Sequence, residues 1–269
     1  MNAHTLLGIS VSVLLCACSS TQDTAMSSAS LSVTAASLED IHSVSPGLAR
    51  IKSQTIDSEV WSRPGLSLRD RSIVTLSALI ARNQVDTLPS QIELAFKNGV
   101  TPAEVSEIIT HLAFYSGIGN AMSAVLATQP VFAQHGIDST QLPAAQGNLL
   151  PMNEQSEAER AARVEASFGA IAPGVVALTT DALFRDLWLR PGLSPRDRGL
   201  VTVSALVAAG NLAQVPVHLN KAMDNGLTRV EASEALTQLA FYAGWPNVFS
   251  AMSVVKDVFA MRPDAQQDQ

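Results

Sequence analysis

Cysteine is missing from nearly all of this 269-residue chain: it has two, Cys16 and Cys18, both close to the N-terminus. From residue 19 onward there is no thiol to close a disulfide, ligate zinc or act as a nucleophile. No basic cluster is visible either. Lys and Arg number 17 against 24 Asp and Glu, a net charge of -7 spread along the chain. A phosphate-binding surface needs clustered cations, so nucleic acid is excluded as a partner. No stretch approaches the roughly 20 apolar residues of a membrane span, and no alternating pattern of useful length points to strands. Aromatic residues make up 5% of a chain that is 47% hydrophobic and rich in Ala and Leu. That balance favours packed helices.

The N-terminal part reads as an address rather than a fold. Leu6–Leu15 has the length of a signal-peptide core, although Met1–Thr5 holds no Lys or Arg. Leu15-Cys16-Ala17-Cys18 then resembles a bacterial lipobox. The resemblance implies cleavage after residue 17, lipidation of Cys18, and, with Ser19 following, an outer-membrane protein facing the periplasm. An ordinary cleaved signal is the alternative. Residues 19–38 are mostly Ser, Thr and Ala and read as a tether.

The rest of the chain is written twice. Trp61-Ser62-Arg63-Pro64-Gly65-Leu66-Ser67-Leu68-Arg69-Asp70-Arg71 returns as Trp188-Leu189-Arg190-Pro191-Gly192-Leu193-Ser194-Pro195-Arg196-Asp197-Arg198, 127 positions later. The same offset carries Asn98-Gly99 onto Asn225-Gly226 and Leu112-Ala113-Phe114-Tyr115 onto Leu239-Ala240-Phe241-Tyr242, and nearly half of the positions from Trp61 to Phe132 are identical to their counterparts. A repeat of this strength sets the domain plan: repeats at 39–135 and 153–262, a Gly/Pro/Gln linker at 136–152 and a polar tail at 263–269. Ser67 with Asp70, and Ser194 with Asp197, are helix starts, the second with Pro195 at the first helical position. Apolar residues at helical spacing follow in both copies. A helix is expected from about Leu88 to Lys97, stopped by Asn98-Gly99. Thr101–Glu104 and Thr228–Glu231 are capping boxes for the next helix, which ends near Gly117 and Gly244.

Trp-x-Arg-Pro-Gly-Leu-Ser-x-Arg-Asp-Arg, then His-Leu before an Asn-Gly, then Gln-Leu-Ala-Phe-Tyr-Ala-Gly, resembles the carboxymuconolactone decarboxylase family. The resemblance implies an all-α fold in which two tandem copies of the alkylhydroperoxidase D-like helical unit form a pseudo-dimer within one chain. It also implies a homo-oligomer, such as a trimer of pseudo-dimers. One branch of the family holds cofactor-free decarboxylases; the other reduces peroxides with Cys-x-x-Cys and a downstream His. That histidine position falls on His218, but the two cysteine positions fall on Gln214 and Asn211. In the first copy the three positions are Gln91, Thr87 and Gln84. Without a thiolate, dithiol peroxidase chemistry is ruled out.

What the resemblance implies for function is a cofactor-independent lyase acting on a small unsaturated or lactone carboxylic acid. Loss of CO₂ leaves a dienolate that must be protonated at carbon, work suited to an imidazole. His218 is the first candidate and His111 the second, because Gln238 replaces His111 in the second copy as Gln91 replaces His218 in the first. Either the copies complement each other, with His111 and His218 meeting, or each site has lost half its pair. Arg71, Arg198, Arg69 and Arg196 are candidates for binding the substrate carboxylate; ion pairs in the first helical turn are the alternative. Tyr115 and Tyr242 line a pocket or pack an interface, and Trp61 and Trp188 pack the elbow before Pro-Gly. No metal set is legible, since Glu104, Glu107, Glu231 and Glu234 have no His or Asp at ligand spacing. Aromatic-acid breakdown is cytoplasmic and this chain looks exported, so a lactone isomerase or hydrolase, or a non-catalytic binding or assembly protein, stays open beside the lyase.

Overall fold

In the computed structural model, which describes residues 36–262, the chain starts with α1 (Leu38–Val44), closed by a capping box between Ser37 and Asp40. α1 thus begins at the last residue of the expected tether. α2 (Pro46–Arg50) passes into a more widely wound π-type segment, Ile51–Val60, and from there into the Trp61–Gly65 elbow. Next come α3 (Leu68–Ala81), α4 (Leu88–Lys97), α5 (Pro102–Tyr115) and α6 (Ile118–Gln134). The linker follows, then α7 (Glu154–Phe168) and α8 (Pro173–Leu178). A π-type turn at Thr179–Phe184 leads into the second elbow. α9 (Pro195–Ala209), α10 (Val215–Asp224), α11 (Arg229–Tyr242) and α12 (Trp245–Met261) repeat the order of α3 to α6. Among the described residues there is no strand, and none of these helices is long and apolar enough to cross a membrane. Cys16 and Cys18 lie outside the described residues.

The expected start signals become N-caps. Ser67 accepts from the Asp70 amide and Ser194 from the Asp197 amide, while Thr101 and Thr228 form full capping boxes with Glu104 and Glu231. Each satisfies an amide that the helix leaves open, worth about 1 kcal/mol. α4 spans the residues expected of it, Leu88–Lys97.

The helical spacing expected of α3 and α9 is present, but it does not say which faces are covered. Both helices lie at the centre, against each other, and are buried on almost every face: Ile73, Val74, Leu200 and Val201 are fully enclosed, and so are Thr75, Ser77, Thr202 and Ser204. Two of these four hydroxyls bond within the helix, Ser77 to the Ile73 carbonyl and Thr202 to the Arg198 carbonyl, and Thr75 accepts from Gln238. Hydroxyls that return to the backbone make a helix suitable for burial all round.

The elbows dock across the repeat boundary, which explains their glycines. Gly65 has φ +89°, and a Cβ there would sit 2.8 Å from Val230 of α11; a Cβ at Gly192 would collide with Glu107 of α5 and with Pro143. Each repeat therefore presses its Pro-Gly turn onto the other repeat's fifth-helix position. Beneath the elbows, Arg69 donates to Asp197, Asp70 and Glu104, and Arg196 donates to Asp70, Asp197 and Glu231. The first-turn Arg-Asp pairs thus interlock the two copies. The linker is also anchored: the Leu150 amide donates to the Leu189 carbonyl, and Arg190 donates to the carbonyls of Ala144 and Ala145.

Candidate active site

Because elbow and α5-type helix come from different repeats, the molecule contains two composite sites. One takes Trp188, Arg190, Arg198, Thr202 and His218 from the second repeat and Glu107, His111 and Tyr115 from the first. The other takes Trp61, Arg63, Arg71 and Thr75 from the first repeat and Glu234, Gln238 and Tyr242 from the second. We call them the histidine site and the glutamine site.

Their frameworks share the same main bonds, although Arg198 Nε donates to the Arg190 carbonyl while Arg71 Nε has no partner. Trp188 Nε1 donates to the Tyr115 hydroxyl at 2.8 Å, and Trp61 Nε1 to the Tyr242 hydroxyl at 3.1 Å. Arg190 forks onto Glu107, and Arg63 onto Glu234. Arg198 donates to Glu107 at 2.7 Å and to the elbow carbonyl of Arg190; Arg71 donates to Glu234 at 2.9 Å and to the carbonyl of Arg63. Both inner arginines are fully buried. Burial works to raise the Glu107 carboxyl, but the Arg190 and Arg198 hydrogen bonds outweigh it and hold Glu107 below the usual carboxylate range. Glu234 is held low in the same way, mainly by Arg63.

The histidine site brings His111 and His218 into one ring cluster. His111 stacks on Tyr115 at 4.9 Å and meets Trp188 edge-on at 5.3 Å; His218 meets Tyr115 edge-on at 5.1 Å and stacks on Trp188 at 6.0 Å. Their chemical positions differ. The Arg198 guanidinium has only donors, so at 3.4 Å it takes the Nδ1 lone pair of His111. The other nitrogen, Nε2, must then carry the proton and donate to Thr202 Oγ1 at 2.7 Å, while the Thr202 hydroxyl donates to the Arg198 carbonyl. Both nitrogens of His111 are engaged. Burial first, then the charges of Arg198 and His218, pushes its pKa well below the ordinary value.

His218 has 8% exposure, yet its Nδ1 is buried without a hydrogen-bond partner. Burial, with a further contribution from Lys221, lowers its pKa to about 4. It is a neutral imidazole with a nitrogen left open, an arrangement rare enough in a folded interior to call for an explanation. Tyr115 beside it is held protonated by burial.

In the glutamine site, Gln238 occupies the place of His111 and copies its bonds. Its Oε1 accepts from Arg71 at 3.3 Å and its Nε2 donates to Thr75 at 3.1 Å. Gln91 stands at the position equivalent to His218.

The six expected binding residues fall into three groups. Arg69 and Arg196 are occupied by carboxylates in the central interlock. Arg71 and Arg198 are buried supports of the two sites, each tied to a glutamate and an elbow carbonyl. Tyr115 and Tyr242 each accept from the tryptophan of the opposite repeat. The repeated motifs do not reach Lys221. Its ammonium lies 4.7 Å from the Trp188 ring and 5.7 Å from that of Phe184, and it lines a cavity of about 230 Å³ that includes Trp188 in its wall. The signal was there: Lys221 and Phe184 align with Leu94 and Asp57 at the repeat offset.

Comparison with known proteins agrees with this layout. The profile of the Carboxymuconolactone decarboxylase family matches twice, at residues 46–130 and 173–257. A 4-carboxymuconolactone decarboxylase from Acinetobacter baylyi is 36% identical over 101 residues, 38% of this chain and 75% of that protein. The nitrosuccinic acid decarboxylase npaB from Metarhizium robertsii is 37% identical over 70 residues, 26% of this chain and 49% of its own length. An uncharacterized 15.0 kDa protein from Paracoccus denitrificans is 27% identical over 92 residues, 34% of this chain and 69% of that protein. With the profile matched in both repeats and over more than half of its length, the chain belongs to the carboxymuconolactone decarboxylase family.

Proposed function

We propose that the histidine site is a cofactor-independent carboxy-lyase centre for a small unsaturated or lactone carboxylic acid, with His218 as its general acid/base. The observation that carries this reading is the open, buried Nδ1 of a neutral His218 in a cluster with Tyr115 and Trp188. Two relatives named as decarboxylases support the reaction class. An anionic acid entering beside His218 favours the imidazolium, so binding draws a proton onto a ring that burial keeps neutral in the resting site. When the C–C bond to the carboxylate breaks, CO₂ leaves and its electron pair becomes a dienolate. The imidazolium then gives its proton to carbon and returns to the neutral form. The Tyr115 hydroxyl supplies a hydrogen bond to the dienolate oxygen. His111 transfers no proton in this scheme; it holds Arg198 and Thr202 in place.

Purified protein should release CO₂ from lactone or muconate-type acids, and His218→Ala should lower kcat by about 10²–10⁴-fold. Turnover unchanged in His218→Ala removes the mechanism. Absence of turnover and of any ligand response in the wild type would favour a binding or assembly protein that keeps the fold.

For location we propose lipid anchoring at Cys18. Cys18→Ser should abolish membrane association and change electrophoretic mobility; a variant that behaves like the wild type refutes the anchor.

A further inference from the structure

We infer that Lys221 is the carboxylate-binding, specificity-determining residue of the histidine site, and that one organic acid binds per chain. The inference deepens the lyase reading and rests on it for the fate of the bound acid.

The cavity beside Trp188 is framed by the end of the linker, α7 and α10, with Lys221, Glu157, Asn153 and Asn225 among its polar walls. Within it Lys221 is the cation without a counter-ion. Two carboxylates lie near enough to influence it, those of Glu157 and Asp224. Both are engaged elsewhere: Arg160 forks onto the two oxygens of Glu157 at 2.7 Å each, and Arg262 holds the exposed Asp224 at 2.7 Å. Among the described residues no carboxylate approaches Lys221 within ion-pair distance. Its ammonium rests on the faces of Trp188 and Phe184, which orient the side chain while leaving its N–H donors uncommitted. A half-buried cation is costly to desolvate, and burial accordingly lowers the Lys221 pKa. A bound anion relieves that cost, which is the thermodynamic reason for an acid to choose this cavity.

The position relative to His218 is suitable. Lys221 lies one turn further along α10, about 5 Å of helix rise, and both side chains lie against the same indole. The cavity is linked to the imidazole through Trp188, which stands in its wall and stacks on His218. The glutamine site lacks both the cation and the second ring. Leu94 replaces the lysine and Asp57 replaces Phe184, with Asp57 paired instead to Lys52.

The test uses calorimetry on the full chain at low ionic strength, with benzoate and succinate as unreactive carboxylates and their amides as neutral analogues. The wild type should bind the acids at one site per chain and the amides at least tenfold more weakly. Lys221→Leu should lose acid binding by tenfold or more, Lys221→Arg should retain most of it, and His218→Ala should still bind. Lys221→Leu is expected to fold normally, because Leu94 occupies the equivalent helix position in the first repeat; its melting temperature checks this. Equal binding by wild type and Lys221→Leu, equal binding of acids and amides, two equivalent sites, or no binding of any acid overturns the assignment. Lysine-dependent binding without turnover of lactone acids would leave the assignment standing and remove the lyase.

Discussion

In the histidine site the polar positions on α5 and α10 are His111 and His218; in the glutamine site the equivalent positions on α11 and α4 are Gln238 and Gln91. Around them almost everything else is held in common. Each site has a tryptophan bonded to a tyrosine of the other repeat, an outer and an inner arginine on one glutamate, and a threonine closing the chain of bonds. A set of contacts that persists where the titratable rings are gone serves the architecture. The chemistry has to be sought in what differs: an imidazole with an open nitrogen, and a lysine where the other site has leucine. The charged motif that identifies the family is thus the scaffold of the site more than its reactive part.

The largest effect expected from disturbing this comparison is on stability, through the shared glutamates. Glu107→Leu leaves Arg198 buried with its charge uncompensated, and removal of one partner from such a pair costs about 3–5 kcal/mol. The Glu107 side chain is 1% exposed and its outer partner Arg190 is 13% exposed, whereas Glu234 and Arg63 are 12% and 40% exposed. Water can solvate Arg63 once Glu234 is gone, so Glu234→Leu should fall at the lower end of that range. Denaturant melts of the two variants check the order. If Glu234→Leu proves the more damaging, the histidine site is not the more tightly enclosed of the two.

A second test is acid. The unfolded chain protonates His218 near the ordinary pKa of 6.5, whereas the folded chain resists until about 4. Between those values the unfolded state binds more protons. Stability should therefore be fully present above about pH 6.5 and decline as the pH falls toward 4, by on the order of 3 kcal/mol. His111 acts in the same direction. Carboxylates also contribute at the acid end, so the informative quantity is the difference between wild type and His218→Gln, a substitution that gives this site the residue found at Gln91. The variant should show a flatter profile across the window. An unchanged slope would mean that His218 titrates normally.

These differences were only partly legible in the sequence. The caps at Ser67, Ser194, Thr101 and Thr228, the extent of α4 and the all-α class follow from local rules, because a cap or a glycine stop acts within one turn. The pairing of His111 with His218 does not follow, because aligning the repeats sets like against like while the sites join unlike elements. Nothing near His111 indicates that its ring will meet the elbow of the other copy. The same holds for Arg69 and Arg196, whose partners Asp197 and Asp70 lie across the repeat boundary. Burial of α3 and α9 on almost every face hides behind their serines and threonines, which look like a polar face until Ser72, Ser77 and Thr202 are seen to bond the backbone. Lys221 was visible as a mismatch with Leu94, but a lone lysine on a helix is usually solvated. Only the cavity and the two aromatic rings give it a role.

The smallest effect should come from His111→Gln, and it separates the two histidines more sharply than any larger perturbation. Gln238 already shows how a glutamine fills the position: its oxygen accepts from the inner arginine and its amide nitrogen donates to the threonine. His111 makes the same two bonds through Nδ1 and Nε2. The substitution should therefore retain the fold within about 1 kcal/mol, the cost of losing some ring packing against Tyr115 and Trp188. Activity should change by no more than a few fold. His111→Ala, which leaves Arg198 and Thr202 without their partner, should be clearly worse on both measures. If His111→Gln instead lowers kcat as far as His218→Ala while the melting temperature holds, His111 is a proton carrier after all, and the symmetry between it and Gln238 is one of shape alone.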